Sequence, residues 1–127
     1  MKVILDTNFL VYCAEKKIDY FELIDDLPAN KEIVVIRSVL NELKDLKQNA
    51  KKAKDKAAAS LALQIVDRNI KGNNLEVLEI EDYADDVIKR IANREDIVAT
   101  MDRQLKSKLK GKARILSIRS AKKLEIV

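Results

Sequence analysis

The chain contains no histidine. That absence removes Ser-His-Asp and Cys-His catalysis and every histidine-ligated zinc site. Cys13 is the only cysteine, so there is no internal disulfide and no cysteine-rich zinc site. In the run Leu10-Val11-Tyr12-Cys13 it reads as a small buried apolar residue. No apolar run approaches the roughly 20 residues that a membrane span needs. The start, Met1-Lys2-Val3-Ile4-Leu5-Asp6, is charged too soon for a signal peptide, so a cytoplasmic location without membrane contact is expected. Any chemistry must rest on carboxylates, lysines, arginines and hydroxyls. Hard oxygen ligands of that kind favour magnesium or manganese over zinc.

What is present suits one folded unit. The chain has 127 residues, 47% apolar and 36% charged, enough to bury a real core. Its pattern alternates strand and helix, which argues for a parallel sheet covered on both faces. A strand is expected over residues 2–6, then helices over 9–15 and about 20–27, closed by Pro28, the only proline. The next strand is 32–36. Ser38 reads as the N-cap of a helix from Val39, with Val39, Leu40, Leu43 and Leu46 as its apolar stripe. After a break near 48–50, residues 57–70 form an alanine-rich helix that stops at Lys71-Gly72-Asn73-Asn74. Residues 75–80 alternate as a half-exposed or edge strand would. Tyr83, Ala84, Val87, Ile88, Ile91 and Ala92 make an amphipathic helix. A buried strand follows at 97–100, then a short basic helix capped by Asp102, and a last strand at 114–118. The expectation is one compact α/β/α domain spanning residues 1–127.

Four acids stand just beyond successive strands: Asp6, Glu42, Asp85 and Asp102. In an open parallel sheet such positions converge on one crevice. Each has a structural alternative. Asp6 can cap the helix near Phe9. Asp85 and Asp86 can be first-turn acids favoured by the helix dipole, with Asp82 as the cap. Asp102 can cap its own helix. Glu42 is harder to dismiss, because a capping box headed by Ser38 would need its acid at position 41, which is Asn41. Glu42 instead lies along the edge of the buried stripe, where an unpaired carboxylate is costly. A ring of fixed carboxylates is what two divalent ions about 3.5–4 Å apart need when they activate water and stabilise a leaving phosphate oxygen. No histidine is required for that chemistry.

Charge is unevenly spread behind the net +4. Residues 1–30 carry three lysines against six acids. Residues 103–123 carry nine basic residues, among them Arg103, Lys106 and Lys108, and no acid. A second cluster comprises Lys44, Lys47, Lys51, Lys52, Lys54 and Lys56, which also reads as ordinary solvated helix surface. Positive charge beside an acidic site suits a polyanion held close to bound metal.

Together these residues resemble the PIN-domain nucleases, over nearly the whole chain and in order. Asp6-Thr7-Asn8-Phe9-Leu10 is similar to the family's opening D-T-N-x-L, with Asn8 close to the site. Glu42 in Ser38-Val39-Leu40-Asn41-Glu42-Leu43 resembles its helix glutamate. Ala84-Asp85-Asp86-Val87-Ile88 resembles A-D-D-x-I, where Asp85 is the usual ligand and Asp86 an auxiliary acid. Val98-Ala99-Thr100-Met101-Asp102 with Leu105 resembles the closing V-x-T-x-D-x-x-L, with Thr100 as a supporting hydroxyl.

The resemblance implies a three-layer, Rossmann-like α/β/α domain with a parallel sheet of strand order 3-2-1-4-5. It implies Asp6, Glu42, Asp85 and Asp102 as catalytic metal ligands for one or two Mg²⁺ or Mn²⁺ ions. It implies cleavage of single-stranded RNA, gripped by Arg103, Lys106 and Lys108. The third and fourth motifs lean toward PIN proteins that process ribosomal RNA precursors, with pre-rRNA as the substrate. The alternative is a VapC-like toxin with an antitoxin partner, although Ala84–Ala92 is not the commonest VapC form. A homodimer is compatible with either. A non-catalytic RNA-binding module is the competing class, but with three tyrosines and two phenylalanines an aromatic stacking platform is not expected to be its main device.

Overall fold

The structure, a computed structural model, describes residues 1–27, 30–120 and 123–126, with side chains described through Ile118. Pro28 and Lys122 lie outside the described residues, as do the side chains of Arg119 and Lys123.

Three consecutive apolar residues explain the centre of the fold. In β1 (Lys2–Leu5), Val3, Ile4 and Leu5 are all fully buried. Successive strand residues face opposite sides of a sheet, so β1 must be covered on both faces. Its neighbours are β2 (Glu32–Ile36) and β4 (Ile97–Ala99), each parallel to it, with Ile4 opposite Val34 on one side and Val98 on the other. β3 (Glu76–Leu78) pairs with β2 at the edge, and its exposed Glu76 beside half-buried Val77 and Leu78 fits that place. β5 (Arg114–Ser120) pairs parallel to β4. The five parallel strands therefore run 3-2-1-4-5, as expected.

A sixth strand, β6 (Lys123–Ile126), extends the sheet antiparallel to β5, beyond what the sequence pattern suggested. Only Leu124 and Ile126 mark it as apolar, and no glycine or asparagine signals the reversal before it.

The helices are α1 (Thr7–Lys16), α2 (Tyr20–Asp25), α3 (Arg37–Asn49), α4 (Ala53–Lys71), α5 (Ala84–Ile91) and α6 (Arg103–Leu109). α1 buries Phe9, Leu10, Cys13 and Ala14 on one stripe. Cys13 is buried and free, and burial pushes its thiol up to about 12. α3 and α4 form a helical hairpin packed against α1. No helix among the described residues is long and apolar enough to cross a membrane.

Two expected caps are corrected. α3 starts directly after β2 with Ile36 as its N-cap, and Ser38 lies inside the first turn. The Ser38 N–H donates to the Ile80 carbonyl at 3.3 Å, so a loop carbonyl satisfies a donor that a cap would otherwise serve. The Ser38 hydroxyl reaches the carbonyls of Ile80 and Asp82. At α5 the N-cap is Tyr83, not Asp82, whose exposed carboxylate turns to Arg90 at 3.6 Å. α4 also begins at Ala53, one turn ahead of expectation, and β3 is shorter than 75–80.

Candidate active site

Strand order reverses at β1, whose neighbours β2 and β4 are reached in opposite directions along the chain. A crevice opens beyond the carboxyl ends of strands at such a point. Here it is a cleft of about 510 Å³. Asp6, Thr7 and Asn8 line its floor, Glu42 and Leu46 come from α3, and Tyr83 and Asp85 from the start of α5. Met101 and Asp102 follow β4, while Val11, Tyr12 and Glu15 add the α1 wall. All four acids singled out from the sequence thus line one cavity.

Asp6 is the most constrained. It is 3% exposed, and its backbone N–H donates to the Ala99 carbonyl at 2.9 Å, prolonging the β1–β4 pairing past the strand end. One carboxylate oxygen accepts the Thr7 N–H at 2.9 Å and so caps α1. The other accepts the Thr100 hydroxyl at 2.8 Å. Burial pushes its carboxyl up from 3.8 to about 6; the Thr100 and Thr7 hydrogen bonds oppose the rise, and the charges of Asp85 and Glu42 add to it.

Thr100 is fully buried and links three site residues. Its hydroxyl carries one proton, and the anionic Asp6 oxygen at 2.8 Å competes better for it than the Asn8 side-chain oxygen at 3.2 Å. The Thr100 oxygen accepts the Asp102 N–H at 3.1 Å. Asn8 in turn accepts the Met101 N–H at 2.8 Å. The ends of β1 and β4 are therefore stitched together by the two residues expected to support the site.

Glu42 is half-buried and accepts a hydrogen bond from the Thr7 hydroxyl. Asp85 is half-buried; burial first, then the repulsion of Asp102, raises its carboxyl above the usual range, while Lys108 and Lys89 pull it down. Asp102 uses one oxygen to cap α6, accepting from the N–H groups of Gln104 at 2.8 Å and Leu105 at 3.4 Å. Its second oxygen has no hydrogen bond among the described residues. Asp6 and Asp102 are thus caps and cleft residues at once.

Asp86 goes elsewhere. It is exposed, pairs with Lys89 at 3.3 Å, and does not line the cleft. Arg103, Lys106 and Lys108 lie on α6 beside the cleft rather than in its wall, and the Lys108 charge is felt at Asp85. Across the cleft, Lys54 of the α4 start pairs with Glu15 at 3.5 Å, which brings the basic hairpin tip to the rim.

Sequence reasoning missed Thr7, Tyr12, Tyr83 and Met101 as cleft residues. Thr7 was legible as the middle of Asp6-Thr7-Asn8, and Tyr83 as the residue before Ala84-Asp85-Asp86. A larger groove of about 980 Å³ lies at the β3 edge, but its Arg37 is already held by Glu79 through bonds of 2.6 and 3.1 Å.

Among the described residues, no three carboxylates are grouped closely enough to chelate one ion directly. The donor set nevertheless suits a hard divalent cation. It is all oxygen, and the carboxyls of Asp6 and Asp85 are raised by burial first and by like-charge repulsion second, both of which a cation would offset. A magnesium-type ion bound through one or two carboxylates keeps several of its waters, so wide spacing is no obstacle to it.

A doubly covered parallel sheet of order 3-2-1-4-5, with four acids in the crevice at its switch point, is the arrangement expected of a PIN-like domain. A family profile described as "PIN like domain" matches residues 3–121. The chain belongs to the PIN-domain family. It is 37% identical over 130 residues to "Ribonuclease VapC4" of Methanocaldococcus jannaschii, covering 98% of this chain and 95% of that protein. Among solved structures it resembles the PIN domain endonuclease Utp24, with a TM-score of 0.71, 29% identity, and coverage of 98% of this chain and 90% of that one. The fold alone is also shared with VapBC-1 from nontypeable Haemophilus influenzae, at a TM-score of 0.51 and 13% identity over 89% of this chain and 96% of that one.

Proposed function

We propose that residues 1–127 act as a single PIN domain, a metal-dependent endoribonuclease that hydrolyses phosphodiester bonds of single-stranded RNA. The observation that carries this reading is the convergence of Asp6, Glu42, Asp85 and Asp102 on one cleft, with Asp6 buried and fixed from both sides. Those four would hold one or two Mg²⁺ or Mn²⁺ ions. Asp86, turned to Lys89 outside the cleft, has no part in the set. When bound, such ions lower the pKa of a coordinated water and neutralise charge on the departing oxygen.

The chain's own residues do the rest. Thr100 and Thr7 fix the Asp6 carboxylate, and Thr7 also steadies Glu42. Asn8 and Thr100 hold the turn that carries Asp102. Arg103, Lys106 and Lys108 attract the RNA backbone toward the Asp85 side. The natural RNA follows one of two readings. The likeness to the endonuclease Utp24 supports an endonuclease, and the Ala84-Asp85-Asp86 motif, similar to that of PIN proteins that process ribosomal RNA precursors, favours such a precursor. The 37% identity to a protein named Ribonuclease VapC4 favours a toxin whose antitoxin neutralises the acidic cleft. Growth arrest on expression, relieved by a neighbouring gene product, would select the toxin.

The reaction type is tested with an oligoribonucleotide carrying one 2′-deoxynucleotide at the mapped cleavage position. Attack by water needs no 2′-hydroxyl, so cutting should persist. Loss of cutting at that position, or a 2′,3′-cyclic phosphate product, would refute hydrolysis.

A further inference from the structure

We infer that the exposed ring of Tyr83 is the stacking platform for an unpaired nucleobase beside the scissile phosphate, an inference that rests on the ribonuclease reading of the cleft. Tyr83 occupies the N-cap of α5, a position where serine, threonine, asparagine or aspartate would bond the first free N–H groups. Tyrosine makes no such bond here. Its side chain is 65% exposed, so it adds little to the core either. Among the described residues its hydroxyl has no hydrogen-bond partner. A residue that breaks a local rule without structural return is the kind held in place by function.

Its location supplies that function. Tyr83 stands on the cleft two residues before Asp85, and Tyr12, Leu46 and Met101 add apolar surface to the same lining. Among the described residues the only other exposed large hydrophobic residue is Leu61, at 38%, which lies on α4 away from the cleft. The charges of Asp85, Glu42 and Asp102 act on Tyr83 and would repel a second phosphate there, whereas an uncharged base face fits. The backbone that leads to the ring is also held in advance. The Ser38 hydroxyl and N–H hold the carbonyls of Ile80 and Asp82, which ties the approach to Tyr83 to the helix that carries Glu42. A base can reach the ring only if it has left a duplex, so the site selects an unstacked nucleotide next to the cut. One ring suffices for this, even in a chain with few aromatics.

The test combines enzyme and substrate changes. Tyr83→Ala should raise KM for a single-stranded oligonucleotide by ~5- to 150-fold, with kcat falling far less. Tyr83→Phe should restore the low KM. An abasic nucleotide scanned along the substrate should reproduce the KM rise at one position with wild type and add nothing further with Tyr83→Ala. Tyr83→Ser should raise the melting temperature by supplying the missing cap while weakening RNA, which separates recognition from folding. An unchanged KM in Tyr83→Ala, an equal loss in Tyr83→Phe, or fully additive abasic effects would overturn the platform. The chain has no tryptophan, so Tyr83→Trp introduces a lone indole whose fluorescence reports stacking without cleavage. Quenching by single-stranded but not duplex RNA supports the platform even if no RNA is cut, an outcome that would sink only the nuclease reading. Absence of quenching with bound RNA would sink the platform.

Discussion

Asp6→Asn should make the metal-free protein more stable while abolishing its activity. The Asp6 carboxyl is 3% exposed and sits near pH 6 instead of an ordinary 3.8. Between those values the folded protein keeps a proton that the unfolded chain has lost, so stability falls as pH rises from about 3.8 through about 6 and then levels. At about 1.36 kcal/mol per pH unit, ionised Asp6 costs the fold roughly 3 kcal/mol at neutral pH. The neutral amide escapes that cost with its partners intact. Its oxygen can still accept the Thr7 N–H, and its NH₂ can donate to the Thr100 oxygen. The Thr100 proton then turns to the Asn8 oxygen, already within 3.2 Å. Urea unfolding at pH 4 and pH 7.5 without divalent ions measures the difference. Asp6→Asn should gain up to about 3 kcal/mol over wild type at pH 7.5 and almost nothing at pH 4. An equal or lower stability at pH 7.5, or a wild-type stability that does not fall across this window, would refute the buried-charge reasoning. Mn²⁺ should raise the wild-type melting temperature above pH 6, much less below pH 5, and not at all in Asp6→Asn.

Further outcomes follow from the same contacts. Thr100→Val removes a hydrogen bond to a carboxylate and strands the Asp102 N–H, so it should cost roughly 2–4 kcal/mol; the Asp6 carboxyl should move above 6 and carry the acid limb of the pH–rate profile upward. Asp102→Asn should keep the α6 cap and stability while losing metal-dependent cleavage, whereas Asp102→Ala should lose both, with about 1 kcal/mol from the cap; calorimetry beside a cleavage assay separates the two roles. Lys108→Gln should weaken RNA binding uniformly across sequences and reduce the slope of log K against log salt by about 1.

The central strands were legible because burial on both faces writes them as short unbroken apolar runs, Val3-Ile4-Leu5, Val34-Val35-Ile36 and Ile97-Val98-Ala99. The strand order came through the family likeness, since no local pattern encodes which strands become neighbours. β6 was not legible because two apolar residues between lysines and a glutamate look like surface chain. Ser38 misled for a physical reason: its type suits an N-cap, but a carbonyl from a loop more than forty residues away took its donors. The four acids were legible through their position after strands. The choice of Asp85 over Asp86 came only through the family likeness, because neighbours on a helix point about 100° apart and no local pattern sets the zero. Tyr83 stayed hidden since tyrosine in an apolar stripe reads as core, and only its exposure at a cap position sets it apart.

The most direct measurement is cleavage of a labelled single-stranded RNA in Mn²⁺ by wild type, by wild type with EDTA, and by Asp6→Asn. Cutting by the wild type alone is expected, with Asp6→Asn still folded and still binding RNA in a salt-sensitive way. Intact RNA under all three conditions, with salt-sensitive binding retained, or cutting by Asp6→Asn at the wild-type rate, would contradict the assignment of the acidic cleft as a metal-dependent ribonuclease centre.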